Sequence, residues 1–460
     1  MAETAVEEVK TELRDAFDRM IDNLQQARDA IDTPALYPAP ATARNLAEGY
    51  RYVLGFLLGS IERSLADPLY PRFRRSIQPM NRSTIDNSDA VYLGAEIDGN
   101  YCYRIRGRAL DSRHWRGEPP VAGPRAPQYV IFELASGHAG DSGSLREMVP
   151  GTRINTSTLD SHAIQVEPDG SFEILVAPEK PDGYRGNFML SRRESRGTTY
   201  VGRYLSCREL FHDWDNEDLL DLEILREGCE ETPRPPIDPA GAVALMDSIG
   251  ELTRNQVQFW NAFNTITLET YGKVPGMPSA GGDGDRQFMP VNDMNPPNAL
   301  GLATGGGQST NIYSGGVYLL QPGEALVMQC EVPVPPSFMG FHLSNLWGES
   351  LDFESYQSNL NLHMLEPDAD GLYRWTVAHA DPGVPNWVDT TGLEHGYLTI
   401  RWTYPEQPPR SDWPSLTVRK VSQQDVVGCF PPGTREVDAA ERKRAIRMRH
   451  RHVQRRYRQY

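Results

Sequence analysis

Residues 379 to 402 read HADPGVPNWVDTTGLEHGYLTIRW, a loop rich in proline and glycine that leads into a strand-like pattern. At its end, in GYLTIRW, apolar and polar side chains alternate. Because successive side chains of a strand point to opposite faces, Leu398, Ile400 and Trp402 share one face. If that face fills a core, Arg401 lies on the other face, where it can clamp a carboxylate of the protein or of a ligand. The stretch predicts a sheet with one buried face.

Short runs of the same kind recur along both sides of this stretch. One group precedes this stretch and extends from AVYLGAEI to LLDLEILR; it includes HAIQVEP (162 to 168). A second group surrounds the stretch and extends from VYLLQ to SLTVRKV. Turn dipeptides separate them, and Asp98-Gly99 and Asp169-Gly170 are typical of hairpins. The 40 Gly and 36 Pro also favour a turn-rich, mainly β fold.

Three segments carry helical patterns instead. Apolar residues recur every three or four positions over residues 3 to 32 and again over residues 42 to 66, with Thr42 as a candidate N-cap. A third helix is predicted from Pro239 to residue 268, because Asp238 followed by proline is a typical helix start.

These patterns together predict a mainly β protein. We expect two β-sandwich, jelly-roll-like domains, an N-terminal helical hairpin and a linking helix. The predicted divisions are an N-terminal helical segment at 1–70, a first sandwich at 71–229, a linker helix with a Gly/Pro-rich loop at 230–310, a second sandwich at 311–425, and a basic C-terminal tail at 426–460.

Charge and composition limit the functional classes. The formal net charge is −16, yet residues 441 to 460 hold nine Lys/Arg against one Glu, so the rest of the chain is more acidic still. Such a body should repel nucleic acid. No apolar run is long enough for a membrane span, and the acidic, amphipathic N-terminus is unlike a secretory signal. Five scattered cysteines form no C-x-x-C pair, which indicates a cytoplasmic protein.

The basic tail has two interpretations. It can be a solvated or frayed helix, or it can bind an acidic partner such as the body of a neighbouring subunit.

Four segments together resemble a known family, the bacterial domain-of-unknown-function family 1214, over about residues 45 to 402. The segments are DPGVPNWVDTTGLEHGYLTIRW (381–402), FHLSNLWGESLDF (341–353), YSGGVYLLQPGEALVMQ (313–329) and NSDAVYLGAEIDGNYCYRIRGR (87–108). The resemblance implies β-sandwich domains in a bacterial, often oligomeric protein, and it implies no established activity. The companion family 1254 is not recognisable, and the basic tail lies outside the pattern.

The stretch from residue 379 to 402, which we call the signature loop, contains the strongest candidate site. Asp381, Asp389 and His395 could act as acid–base catalysts, while Asn386 and Arg401 could bind a ligand. Alternatively, the two aspartates satisfy backbone N–H groups of a tight loop, Asn386 holds a turn, and Arg401 pairs with one aspartate. Three further ligand-binding candidates are Glu349, Asp352 and Trp387.

Other motifs are weaker. His342 and His363 show no metal-binding spacing, so neither a metal nor a cofactor is predicted. Gly305 to Gly307 lack the Gly-Lys-Ser/Thr ending of a P-loop, and Ser142 lacks the context of a serine nucleophile.

Two functions are consistent with these observations. The first is an oligomeric binding or structural protein that holds a small polar or amphipathic molecule between its β domains. The second is a hydrolase- or lyase-like enzyme that uses the acid–base groups of the signature loop.

Overall fold

The computed structural model describes residues 2–32, 42–119, 122–269, 289–299 and 307–457. Strands in several sheets dominate it, and four helices lie in these described ranges. The predicted mainly β fold is confirmed at this level. Most of the predicted Gly/Pro-rich loop, with Gly305 and Gly306, lies outside the described residues.

The N-terminal β unit contains the strands between residues 74 and 226. Its strands are β1 (Arg74–Ile77), β2 (Ala90–Glu96), β3 (Tyr103–Arg108), β4 (Tyr129–Ala135), β5 (Asn155–Asp160), β6 (Ser171–Ala177), β7 (Asn187–Leu190), β8 (Arg192–Ser195), β9 (Thr198–Val201), β10 (Tyr204–Leu210) and β11 (Asp221–Arg226). One sheet has the order β1-β2-β10-β4-β5 and a second the order β11-β3-β6-β7, while β8 and β9 form a separate hairpin. The two larger sheets share one apolar core, to which β4 contributes Phe132 and β3 contributes Ile105.

The C-terminal β unit contains the strands between residues 311 and 422. Its strands are β12 (Asn311–Leu319), β13 (Glu324–Glu331), β14 (Phe338–Ser344), β15 (Asn359–Asn361), β16 (Tyr373–Ala378), β17 (Trp387–Asp389), β18 (His395–Thr403) and β19 (Ser415–Ser422). They form sheets of order β12-β18-β14-β15 and β17-β16-β13-β19. Leu398, Ile400 and Trp402 of β18 belong to its core, as their alternation predicted, and Arg401 lies on the opposite face.

One predicted strand is wrong. HAIQVEP (162–168) is not a strand, and the strand lies just before it, at β5. The Asp160 carboxylate accepts hydrogen bonds from the backbone N–H groups of His162 (2.9 Å) and Ala163 (3.3 Å), which turns the chain at the end of β5. Ile164 is fully buried, so its apolar character reflects burial of a loop residue.

The two predicted hairpin turns are turns between sheets. Strands β2 and β3, on either side of Asp98-Gly99, belong to different sheets, and so do β5 and β6 around Asp169-Gly170. The local sequence predicts the reversal of the chain, but the packing of two sheets decides which strands pair.

The helices begin and end close to the predicted positions. They are α1 (Ala2–Asp32), α2 (Ala43–Ser64), α3 (Pro239–Glu269) and α4 (Ala439–Arg456). Thr42 caps α2, because its hydroxyl accepts a hydrogen bond from the Asn45 N–H at 3.1 Å. Asp238 acts in the same way on the Gly241 N–H, at 2.7 Å, at the start of α3.

Helix α1 packs chiefly along α3 and less extensively on α2. Arg19 forms an ion pair with Asp247 at 2.9 Å, and eleven residues later the Ala30 carbonyl accepts from Asn261 at 3.4 Å. Residues further along α1 therefore contact residues further along α3, so the two helices run parallel. Gly250 allows the close approach, since a Cβ there would lie 3.0 Å from the Met20 Cα.

Helix α2 lies against α3 in the opposite direction. Tyr52 bonds to Asn261 at 3.3 Å, and Ser64 bonds to Ser248 at 2.8 Å. The linking helix and the N-terminal helices therefore form one three-helix layer, in which α1 and α2 run in opposite directions and also contact each other.

The basic C-terminal segment is not a solvated tail, because α4 packs into the seam between the two β units. Arg449 and Arg456 are 1% and 0% exposed. The Arg449 guanidinium donates to the Asn359 carbonyl at 2.8 Å, and Arg456 donates to the Ser88 carbonyl at 2.6 Å. A helix rich in arginine is exposed to solvent unless the fold provides buried hydrogen-bond acceptors for its guanidinium groups. Here both β units provide such acceptors.

The seam surrounds the buried carboxylate of Asp89. One of its oxygens accepts hydrogen bonds from Trp214 (3.0 Å) of the N-terminal unit, and from Asn359 (2.9 Å) and Asn361 (2.8 Å) of the C-terminal unit. The Arg456 guanidinium lies 4.5 Å from the Trp214 ring centroid. We name Asp89, Trp214, Asn359, Arg449 and Arg456 the seam cluster. It joins both β units and α4 through charge-assisted hydrogen bonds and cation–π contacts.

Replacing Arg456 should destabilise the protein strongly. Arg456→Gln removes the charge near Asp89 and the ring contacts, so we expect a loss of about 3 kcal/mol of unfolding free energy, measured by urea denaturation. Arg447 is an exposed arginine of the same helix and gives the matched control Arg447→Gln, for which a change within about 0.5 kcal/mol is expected. Equal effects of the two substitutions would show that α4 does not stabilise the seam.

Candidate functional site

A cavity of about 410 Å³ lies between the two β units and under the helical layer. One wall is the outer face of the five-stranded sheet, with Tyr204, Ser206 and Arg208 of β10. The opposite wall comes from β12 and β18, through residues such as Tyr313 and Arg401. Helices α2 and α3 complete it. We call this space the central cavity.

The lining of the central cavity is divided by chemistry. The helical layer contributes apolar side chains, including Phe56, Trp260 and Phe263. The two sheets contribute most of the charged and hydrogen-bonding groups, and α2 adds the charged Arg63. This division follows from the strand pattern, because each sheet turns its apolar face to its own core and its polar face to the cavity.

Arg401 is the most buried cation of the second wall, at 7% exposure. Its guanidinium lies 2.8 Å from Nδ1 of His342 and also donates to the Ile85 carbonyl. Its centre is 5.9 Å from the centroid of the Tyr313 ring. Burial and the neighbouring Arg401 charge lower the pKa of His342 well below its usual value, so the ring is neutral and accepts from Arg401.

No carboxylate bonds to Arg401 within the described part of the chain. Asp86 is near enough to interact electrostatically, but both of its oxygens are bound by Ser350, at 2.9 and 2.7 Å. Burial raises the pKa of Asp86, and its hydrogen bonds to Ser350 and the charges of Arg82 and Arg401 act in the opposite direction. The Thr399 hydroxyl, two residues along the same face of β18, is also buried without a hydrogen-bond partner among the described residues.

Tyr313 offers a hydrogen-bond donor beside Arg401. Its hydroxyl oxygen accepts from the Gln308 N–H at 2.9 Å and from the Asn311 side chain at 3.0 Å. A phenolic hydroxyl has two lone pairs and one proton, so both accepting positions are used and the proton is left to donate.

The facing wall has a charge that is already paired. Arg208 forms an ion pair with Glu133, whose other oxygen accepts from the Ser309 N–H at 2.9 Å. The Arg208 guanidinium also lies 5.9 Å from the Tyr92 ring centroid. Arg208 therefore needs no further anion, in contrast to Arg401.

A histidine–carboxylate pair lies at the other end of the central cavity. Nε2 of His138 is 2.9 Å from a Glu96 oxygen, and the His138 ring packs on Tyr204 with centroids 3.7 Å apart. Arg74 binds the same carboxylate at 2.9 Å, and Arg63 lies 3.6 Å from it.

Electrostatics define the protonation of this pair. Burial alone would raise the pKa of Glu96, but His138, Arg63 and Arg74 outweigh it and lower the pKa to about 2. Burial and the Arg63 charge lower the pKa of His138, against the raising effect of Glu96. Near neutral pH the carboxylate is ionised and the ring is neutral. Nε2 therefore carries the proton donated to Glu96, and Nδ1 carries a lone pair.

The predicted signature-loop residues lie elsewhere. Asp381 accepts from the Gly383 N–H at 2.9 Å and forms a two-point ion pair with Arg442 of α4, at 2.9 and 3.0 Å. The same guanidinium lies 5.3 Å from the Trp387 ring centroid. Asn386 bonds to the Arg374 carbonyl at 2.8 Å and thereby holds the loop on β16. This part of the loop is the surface on which α4 docks.

The other two candidate catalysts are also outside the cavity. Asp389 accepts from the Thr391 N–H at 2.7 Å, as a turn residue does, and burial raises its pKa. His395 begins β18 opposite Leu319. Neither they nor Asp381 line the described walls of the central cavity, whereas Arg401 does. These three groups therefore do not converge with Arg401 in one pocket, and neither aspartate pairs with Arg401 as the alternative interpretation expected.

Glu349 and Asp352 do not join Arg401 either. Glu349 is 1% exposed and binds Arg51 of α2 at 2.7 Å and Asn345 at 2.8 Å. Burial raises its pKa to about 7. Asp352 accepts from the Glu354 N–H at 3.0 Å and caps a turn.

Sequence reasoning missed His138, Glu96 and Arg208. Alternation along YVGRYLS and AVYLGAEI places Tyr204 and Glu96 on polar faces, but nothing local indicates that His138 meets them. The meeting of His342 with Arg401 likewise depends on the pairing of β14 with β18, which is a non-local contact.

Two features are absent from the described residues. No described helix is long and apolar enough to cross a membrane. No group of three His, Cys, Asp or Glu side chains among them could hold a metal ion.

No protein-family model and no curated protein matches the chain. The fold is similar to the crystal structure of an uncharacterised protein from Burkholderia cenocepacia, with 25% identity, a TM-score of 0.69, and coverage of 90% of this chain and 99% of that one. The VPA0106 protein from Vibrio parahaemolyticus shows 12% identity and a TM-score of 0.41 over 86% of this chain and 100% of that one, too low to support an inference. The first likeness agrees with the mainly β fold.

Stability should depend on pH through Glu96. Its pKa is depressed from 4.5 to about 2, so its stabilising effect is present above pH 4.5 and is lost as the pH falls toward 2. Glu96→Gln should lower the unfolding free energy at neutral pH by on the order of 3 kcal/mol, and the difference from wild type should narrow on acidification. Urea denaturation at several pH values measures this.

The control for this experiment is Glu331→Gln, at an exposed glutamate of β13. It should change stability by less than about 0.5 kcal/mol at neutral pH. A Glu96→Gln difference that stays constant across the acid range would contradict the assigned ionisation.

Proposed function

We propose that this protein binds a small amphipathic anion in the central cavity. The anionic group, such as a carboxylate, binds Arg401, and the apolar part of the molecule lies against the helical layer. The observation that carries the proposal is the buried guanidinium of Arg401, which bonds to no carboxylate in the described part of the chain.

The cost of burying a charge supports this assignment. A buried charge is costly unless it is paired and hydrogen-bonded, and the groups that touch Arg401, a neutral imidazole and a backbone carbonyl, carry no net charge. A ligand carboxylate would supply the missing charge through the planar fork of the guanidinium. The Tyr313 proton is available to donate to the same group.

The size and lining of the cavity support a small amphipathic molecule. A cavity of about 410 Å³ falls within the range of roughly 300–1,000 Å³ typical of small-molecule sites. Apolar walls with few polar groups are also typical of such sites. Phe56, Trp260 and Phe263 would cover an aliphatic or aromatic portion of the ligand.

Calorimetric titration with decanoate tests the proposal. Wild type should bind decanoate more tightly than neutral decanol. Arg401→Gln should weaken decanoate binding by about 10- to 100-fold, since a charged hydrogen bond contributes about 1.5–3 kcal/mol. Arg401→Lys keeps the charge without the planar fork, so an intermediate loss is expected.

The matched control is Arg410→Gln. Arg410 is exposed and its guanidinium lies 5.3 Å from the Trp413 ring centroid, so it resembles Arg401 without lining the cavity. This control should bind decanoate as wild type does. Equal decanoate affinity of wild type and Arg401→Gln, or no binding by wild type, would overturn the proposal. Thermal unfolding of each variant checks that it is folded.

Several predictions from the sequence stay predictions beside this proposal. These are a cytoplasmic location, a homo-oligomer, jelly-roll-like sandwich domains and membership of family 1214. For the oligomer, Tyr50 and Leu54 of α2 are 47% and 63% exposed, which favours a helix face that a second copy covers. The alternative of a hydrolase- or lyase-like enzyme acting through Asp381, Asp389 and His395 has no comparable support, because these groups lie outside the cavity walls.

A further inference from the structure

The end of the central cavity beside His138 can recognise a second ligand group. Nε2 of His138 is committed to Glu96, and Nδ1 has no hydrogen-bond partner among the described residues. His138 lines the cavity, and 15% of its side-chain surface is exposed. An imidazole nitrogen in this state is a hydrogen-bond acceptor.

The His138 ring is held in place by two contacts. Glu96 binds its Nε2, and Tyr204 packs against its face. Tyr204 reaches this position because Gly94, its neighbour on β2, has no side chain. A Cβ at Gly94 would lie 2.5 Å from the Tyr204 hydroxyl oxygen. Orientation of Nδ1 is thus fixed before any ligand binds, which lowers the entropic cost of recognition.

The spacing of residues along β10 gives an approximate distance between the Arg401 end and the His138 end of the central cavity. Tyr204, which contacts His138, and Arg208, which lies on the Tyr92 ring near Arg401, are four residues apart on β10. At about 3.3 Å per residue this separation is about 13 Å. A molecule that reaches both ends must therefore be elongated.

The charges at the His138 end restrict the ligand group further. Arg63, Arg74 and Arg153 line this end, so a ligand ammonium group would be repelled. Glu96 and Asp141 already pair with Arg63 and Arg74, which removes most of the attraction for a second anion. A neutral group with a hydrogen to donate fits Nδ1 best.

We infer that the ligand is an elongated hydroxy acid, whose carboxylate binds Arg401 and whose distal hydroxyl donates to Nδ1 of His138. This inference rests on the proposed function of the central cavity and names the class of molecule that it takes. The chain between the two polar ends lies along the apolar side chains of α2 and α3.

Matched probes test the inference by calorimetry. We expect 10-hydroxydecanoate to bind wild type about 3- to 10-fold more tightly than decanoate, because one net hydrogen bond contributes about 0.5–1.5 kcal/mol. The isomer 2-hydroxydecanoate, with its hydroxyl beside the carboxylate, should show no such gain. His138→Leu should reduce the preference for 10-hydroxydecanoate over decanoate, measured on the same variant, to about 1.

The outcomes separate this inference from the proposed function. Equal binding of decanoate and 10-hydroxydecanoate by wild type overturns the inference and leaves the anion site intact. Tighter binding of sebacate, the matching dicarboxylate, than of 10-hydroxydecanoate would assign an anion to the His138 end and would also overturn it. Failure of all the probes to bind overturns both proposals. The comparison among probes on wild type decides the result even if His138→Leu does not fold.

Discussion

The buried carboxylate of Asp89 and the two guanidinium groups of α4 hold the halves of this protein together. Each β unit has its own apolar core, so burial of apolar area within a unit does not fix its position against the other. The seam cluster does, because Asp89 and Arg449 both bond to Asn359 across the boundary. Breaking one partner of such a cluster leaves a buried charge uncompensated, which makes the arrangement specific as well as stable.

The same boundary explains why a cavity with charged walls exists. Two sheets meet through their outer faces, which carry apolar residues such as Ile131 and Phe338 together with the polar half of the alternating pattern. At the seam those polar groups find partners in each other and in α4. In the central cavity, among the described residues, Arg401 meets no carboxylate and Nδ1 of His138 has no hydrogen-bond partner, while the helical layer lines one side with Phe56 and Trp260. The result is a cavity with two polar ends and an apolar side.

The sequence predicts what depends on local pattern. Alternation in GYLTIRW assigned Trp402 to the core and Arg401 to the opposite face, and the Thr42 and Asp238 caps marked helix starts. Local pattern does not predict contacts between residues that are far apart in the sequence. A run of arginines is ordinarily a solvated helix face, so the burial of Arg456 required acceptors from distant strands. The many charged and polar side chains of the signature loop form a surface on which α4 docks through Arg442. The cavity residues are single positions on separate strands, without a shared motif.

A crystal structure of the protein soaked with decanoate tests the central claim most directly. Electron density should place the carboxylate within hydrogen-bonding distance of the Arg401 guanidinium, with the alkyl chain against α2 and α3. Density for decanoate on the Asp381 to His395 loop, with the central cavity free of it at saturating concentration, would contradict the account.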